Sequence, residues 1–421
     1  MICHACRNAP RFRCILLQVP DRVFPTLSPG FDWRADSLDW PVTTDVGPGL
    51  AGVIATGTRV MWLDPSSGRL AYRGVPVASL AAAPDFERVA FLLITGMASD
   101  EDSRSWERFR HNLRSSRRLP PDVVALVRDL DRTTHPTRSL RAGISALGCH
   151  ELSVDDDISG DRHWRELRIV GQVAALVGEI VRHRRGAVAA GGGESDGSLA
   201  EELLCAISGC TPERDDIRTL DLLWVLYAAH GLDAPTFTSM VVASCLADPY
   251  TNVVAGLSAL RGWRQGGAGE AVLDQLLDRS DPGEAEEWVR DKLASGGSIA
   301  GFGHPDYRTP DPRVVILRQT AASLASRKGR GELFQIARTI ERAATRELAP
   351  RGVHINVNFY GALLFHLLGA DPPLAPCLIA IARMAGLVAL VREGLDDIRL
   401  YRPLSRYVGA ASRSIDRGEQ P

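Results

Sequence analysis

From Gly74 onward the chain is written almost entirely in one period. Apolar residues recur at amphipathic-helix spacing over about 86–94, 103–115, 120–131, 165–184, 198–209, 217–230, 235–246 and 249–262. The pattern resumes over about 267–280, 283–295, 313–327, 330–347 and 357–368, then closes in two long helices over about 374–392. No β-α-β alternation interrupts it, and no GxGxxG follows a strand, so a dinucleotide-binding crevice is disfavoured. The β-prone runs come before Gly74: Val53–Thr56, Arg59–Leu63 and Arg69–Tyr72. Asp64-Pro-Ser-Ser-Gly68 joins the last two and reads as a hairpin turn. Asp85 is placed to cap the run Phe86–Ile94, and Gly96 to stop it. The expectation is a mainly α protein with one short N-terminal β-hairpin, preceded by an irregular extension over residues 1–48.

With 421 residues, 45% of them apolar, the chain can bury one large core or two ordinary ones. A net charge of −2 rules out a broadly basic nucleic-acid surface. No charge-free apolar stretch approaches the roughly 18 to 20 residues of a membrane span. Lys292 and Lys328 are the only lysines among 49 Lys+Arg. Schiff-base chemistry therefore has almost no candidate, whereas forked capture of carboxylates by arginine has many. Coding bias accounts for most of that imbalance. Near the start, Cys3, His4, Cys6 and Cys14 suggest zinc, but the second matched ligand pair of a structural site is missing nearby. No metal is expected, and without a signal-like segment a cytoplasmic location is. Gly191–Gly193 lies in a polar stretch with no following Lys-Ser/Thr, so it reads as a linker and not a phosphate loop.

Three places combine His, Arg and Gly in ways a core does not require. His230 stands at a helix junction, in His230-Gly-Leu-Asp-Ala-Pro-Thr-Phe237. His304 is presented on the glycine-rich run Gly301-Phe-Gly-His-Pro-Asp-Tyr-Arg-Thr-Pro-Asp-Pro-Arg313. Arg383 interrupts the apolar Leu378–Leu390, where an unpaired cation is costly. It is either paired internally or placed for an anion. Arg402 follows near the C-terminus.

Together these segments resemble the citrate synthase family over about residues 49–413. Gly68-Arg-Leu-Ala-Tyr-Arg-Gly74 is similar to the family's G-x-L-x-Y-R-G hairpin, and Phe86–Gly96 to its following helix. Gly301–Arg313 fits G-x-G-H-x-x-Y-x-x-x-D-P-R with its spacing intact. Ile355-Asn-Val-Asn-Phe-Tyr360 stands where the family has P-N-V-D-F-Y, and Arg402-Pro403 with Tyr407-Val-Gly409 resembles its closing motif. The resemblance implies the citrate synthase fold: a large helical domain over 49–266 and 376–421, and a smaller helical domain over 267–375. It implies a homodimer condensing an acyl-CoA with oxaloacetate or a related keto dicarboxylate, with no permanently bound cofactor. His230, His304, Arg313 and Arg383 would hold the keto acid, and Arg402 would reach in from the partner subunit. His304 would donate to the ketone oxygen. Gly301, Phe302, Gly303 and Arg351 would meet coenzyme A.

Two positions depart from the family. Gln265 stands where it has a histidine, and Asn358 where it has the catalytic aspartate. An amide has no useful basicity near neutral pH, so Asn358 cannot take the thioester's methyl proton. Three explanations follow. Another group has become the base, with Asp233 first and Asp306 second, although Asp233 equally suits a helix cap. Alternatively, the nucleophile needs no deprotonation, as with a malonyl-type thioester or a pre-formed carbanion. Or the chain is an inactive dicarboxylate-binding subunit, a sensor or a heterodimer partner of an active paralogue.

Overall fold

A computed structural model describes residues 48–50, 53–150, 164–187, 197–307, 309–396 and 399–403. The Cys3–Cys14 cluster, Gly191–Gly193 and Tyr407–Gly409 lie outside the described residues. Met1–Ala55 forms one unit, in which a 3-10 turn spans Pro48–Leu50; Thr56–Pro421 forms the other.

The hairpin is where the turn chemistry puts it. Strand β1 (Met61–Asp64) pairs antiparallel with β2 (Arg69–Tyr72), Asp64 opposite Arg69. The Asp64 carboxylate accepts the backbone N–H groups of Ser66 and Ser67 at 2.9 and 3.3 Å, which ties the connection. A two-residue strand, β3 (Val75–Pro76), adds to β2. Val53–Thr56, expected as a strand, is not one: its backbone is irregular and Ile54 is 74% exposed.

Sixteen α-helices follow among the described residues. They are α1 (Val77–Ala82), α2 (Phe86–Thr95), α3 (Ser103–Ser115), α4 (Pro121–Asp129), α5 (Pro136–Gly148), α6 (Trp164–Arg184), α7 (Leu199–Ser208) and α8 (Arg214–Tyr227). Then come α9 (Ala234–Ala243), α10 (Pro249–Leu260), α11 (Gly267–Leu277), α12 (Pro282–Ala294), α13 (Arg313–Arg327), α14 (Gly331–Leu348), α15 (Val357–Leu367) and α16 (Ala375–Asp396). Helix α2 is bounded as read: Asp85 accepts the Arg88 N–H at 3.0 Å, and Gly96 closes the helix at φ 79°. Helix α5 was not foreseen, because it packs partly through small residues. A Cβ built on Gly143 would lie 2.9 Å from Leu176 of α6, so a glycine sits within the short buried stripe of Leu140, Ile144 and Leu147. The two closing helices prove to be one.

That one helix, α16, is the axis of the molecule. Every residue from Ala375 to Val391 is buried, and Arg383 is the single charge among them. It packs against α2, α5, α6, α8, α9, α10, α11 and α15. Its length and composition would suffice to cross a membrane, but its apolar window is wholly enclosed by protein. Gly386 makes the approach to α8 possible: a Cβ there would lie 2.3 Å from the Ala228 carbonyl. Arg383, one turn earlier on α16, is thereby carried to the C-terminal end of α8, where His230 follows.

Candidate active site

The glycine-rich loop is tied down residue by residue. Gln275 of α11 grips Ala300, its Nε2 donating to the carbonyl at 2.9 Å and its Oε1 accepting the N–H at 3.1 Å. Asn356 donates its backbone N–H to the Gly301 carbonyl at 2.9 Å and its side-chain amide to the Gly303 carbonyl at 2.8 Å. Gly303 donates to His354 at 2.7 Å, and Phe302 bridges to Ile355. Gly301 has φ 83° and no room for a side chain, since a Cβ would meet Phe359 at 2.8 Å. The loop is thus laid against the start of α15, and His304 is delivered to His230.

Their Nε2 atoms stand 3.0 Å apart. The backbone N–H groups of Asp306 and Tyr307 both donate to His304 Nδ1, at 3.1 and 3.2 Å. That nitrogen therefore carries no proton, and the neutral ring presents Nε2–H. His230 accepts it at Nε2, which leaves its own proton on Nδ1, a buried atom with no partner. Burial lowers the pKa of both rings, and the charges of Arg313 and Arg383 lower it further. Both are neutral at pH 7.

The two buried arginines differ. Arg313 donates Nε and Nη2 to Asp311 at 2.9 and 2.7 Å, and Nη1 to the Leu226 carbonyl of α8 at 3.1 Å. Burial opposes its charge, but Asp311 more than offsets this and raises its pKa. Arg383 is less committed. Its Nη2 lies 2.9 Å from Asp233 Oδ2, while Nε and Nη1 have no hydrogen-bond partner. Asp233 is also the cap of α9, its Oδ1 accepting the Thr236 N–H and hydroxyl at 3.1 and 2.7 Å. Of the two readings of Asp233, the structure thus supplies the cap and adds an ion pair.

Asn358 sits in the first turn of α15, its N–H capped by Asn356 and its side-chain oxygen accepting from the Tyr227 hydroxyl at 3.3 Å. That hydroxyl also donates to the Val357 carbonyl, at 3.1 Å. Gln265 lies in the turn before α11, and no side-chain bond ties it to the histidine pair. The Asp306 carboxylate is 3.9 Å from His304 Nδ1, on the ring edge away from the donor. His230, His304 and Asp306 have ligand atoms close enough to hold a metal ion, but the two arginine charges oppose a dication there. Arg351 is exposed in a 3-10 turn, Ala349–Arg351. Arg402 is exposed too, in a segment whose neighbour Tyr401 is held on α9 by Ser244 and Phe237. Gln275, Asn356, Tyr227 and Tyr307 carried no expectation; Asn356 and Tyr307 lie inside the quoted motifs, and nothing but their spacing marked them.

Neutral rings and a buried guanidinium thus present unpaired donors, His230 Nδ1 and Arg383 Nε and Nη1, at the junction of α8, the His304 loop and α16. Residues 49–404 match the model of the citrate synthase C-terminal domain. The citrate synthase of Acidithiobacillus ferridurans is 34% identical over 87% of this chain and 96% of its own. The 2-methylcitrate synthase of Mycobacterium tuberculosis is 32% identical over 88% and 92%. Thermoplasma acidophilum citrate synthase, solved with carboxymethyl coenzyme A and oxaloacetate, superposes with TM-score 0.83 at 26% identity, covering 89% and 98%. The chain belongs to the citrate synthase family.

Proposed function

We propose that this protein binds oxaloacetate or a close keto dicarboxylate between His230, His304 and Arg383, and condenses it with a CoA thioester as its relatives' names describe. The observation that carries this reading is the set of buried, unpaired donors on His230 Nδ1 and Arg383 Nε and Nη1 beside the fixed Nε2–H of His304. The arginine would take a carboxylate. His304, released from His230 by the ligand, would donate to the ketone oxygen and stabilise the alkoxide that forms on attack. Arg313 would add its remaining outer N–H groups, and Arg402 of a second copy would complete the site. Gly301–Gly303 and Arg351 would receive coenzyme A, and 267–375 would close on the rest as a small domain.

Deprotonation of the thioester is the weak step. Asn358 cannot accept a proton, Asp233 is engaged by Arg383, and Asp306 lies on the wrong edge of His304. A missing general base costs about 10²–10⁴-fold. That observation favours a second reading: the same pocket binds the dicarboxylate without turnover of acetyl-CoA. Thiol release from acetyl-, propionyl- and malonyl-CoA in the presence of oxaloacetate separates the cases. The first reading predicts slow but measurable release, raised about 100-fold or more by Gln265→His with Asn358→Asp. Product from malonyl-CoA alone, with CO₂, selects a nucleophile that needs no base. Binding of oxaloacetate with no release from any thioester supports the second reading. No binding by calorimetry sinks both.

A further inference from the structure

Tyr307 belongs to the His304 cluster without taking part in any bond of its side chain. Its ring lies 4.6 Å from His304 and 5.8 Å from His230, centroid to centroid, closing a triangle with the 4.9 Å pair they make together. The residue is 2% exposed, and its hydroxyl is buried with no hydrogen-bond partner among the described residues. The other tyrosines of this wall are satisfied: Tyr72 exchanges bonds with Ala229 at 3.2 and 3.3 Å, and Tyr227 reaches Val357 and Asn358. Leaving a buried hydroxyl unpaired costs stability, so an orphan inside a binding site marks a bond that something else completes.

What completes it follows from the company. Burial raises the pKa of the hydroxyl and keeps it protonated, against the opposing charge of Arg313. The Arg313 guanidinium is already forked onto Asp311, so it brings fewer free N–H groups than Arg383 does. Among the unpaired groups here, His230 Nδ1, Arg383 Nε and Nη1 and this hydroxyl are donors, and the one acceptor, Asp233 Oδ2, has its charge met by Arg383 at 2.9 Å. A ligand that satisfies them all must be rich in acceptors at both ends.

We infer that Tyr307 is a ligand-binding residue, its hydroxyl donating to an acceptor oxygen of the keto dicarboxylate held beside His304 and His230. This rests on the proposed keto-dicarboxylate site, but its test is separate, because it reads binding and not turnover. Calorimetry with oxaloacetate on the full chain and on Tyr307→Phe measures the bond directly. A hydrogen bond to a charged group implies affinity at least 10-fold weaker in the variant. Because Phe removes an unpaired buried hydroxyl, the ligand-free variant should melt at or above the wild-type temperature, which a structural tyrosine would not allow. Affinity within 2-fold of wild type, with wild type binding normally, overturns the assignment of Tyr307 alone. A ligand-free variant that melts well below wild type overturns it too, since the hydroxyl would then have a protein partner. If wild type itself does not bind oxaloacetate, the site reading falls and this inference with it.

Discussion

Replacing Asp233 by Asn separates two roles that a single carboxylate could play. In the structure Asp233 caps α9 through Oδ1 and neutralises Arg383 through Oδ2, with both side chains about nine-tenths buried. Asparagine caps a helix as well as aspartate does, so the bond from Thr236 survives and the cap contributes no loss. What disappears is the countercharge of a buried arginine. Removing one partner of a buried pair costs about 3–5 kcal/mol, because the other is left uncompensated. The ligand-free variant should lose that much in urea denaturation followed by the fluorescence of Trp224, which is fully buried and bonded to the Leu378 carbonyl of α16. Oxaloacetate should restore part of the loss, since its carboxylate replaces the missing charge; a ligand at 100 times its Kd stabilises by about 2.7 kcal/mol even before that gain. A change below about 1 kcal/mol would refute the ion pair as a stabilising contact. If condensation instead fell by about 10²–10⁴-fold with stability intact, Asp233 would be the substitute base.

Asp221 of α8 accepts the Phe86 N–H at 3.2 Å, and burial pushes its pKa up to about 7, aided by Asp85 and Glu87. The folded state holds this proton more tightly than the unfolded one, so stability falls as pH rises from about 4 through 7, by up to about 4 kcal/mol. Asp221→Asn keeps the acceptor and removes that loss; urea midpoints should rise more at pH 8 than at pH 5, and an equal rise at both would contradict the assignment. Gly301→Ala must fit a Cβ 2.8 Å from Phe359 at φ 83°, costing about 1–3 kcal/mol and weakening oxaloacetate binding through His304; an unchanged melting temperature would show that the loop is not packed as described. His230 and His304 have lowered folded pKa values, so their neutral-state contribution is present above about 6.5 and is lost as pH falls through the folded values. A bound dianion favours the protonated rings, so thermal protection by oxaloacetate should grow between pH 7.5 and 5.5; flat protection argues against its contact with them.

The helices and the hairpin were legible because burial writes a period into the chain and turns need particular residues. Asp64-Pro-Ser-Ser-Gly68 announced its own geometry. Helix α5 escaped because its buried stripe is short and Gly143, at the contact with α6, interrupts it. The histidines and Arg383 could be picked out as unlike a core, and the family motif joined them. Their pairing could not be read. That Arg313 is forked onto Asp311, that Arg383 leans on Asp233, and that Tyr307 has no partner depend on α8, the His304 loop and α16 meeting in space. Gln265 and Asn358 were plain in the sequence as exchanges of proton-handling groups for amides, and the structure adds that Asp233 is engaged by Arg383 while Asp306 lies on the far edge of His304.

The burial of α16 has a consequence for how the molecule is made. Eight helices lay apolar surface against it, yet it comes after all of them in the chain. On the ribosome, α2, α5, α6 and α8–α11 emerge while the rod they enclose is still unsynthesised, and none of them can finish its core. The native assembly therefore waits for translation to pass Val391, and a chain terminated before Ala375 exposes a groove the length of 22 helical residues. Such a groove is a natural substrate for chaperones that hold apolar surface.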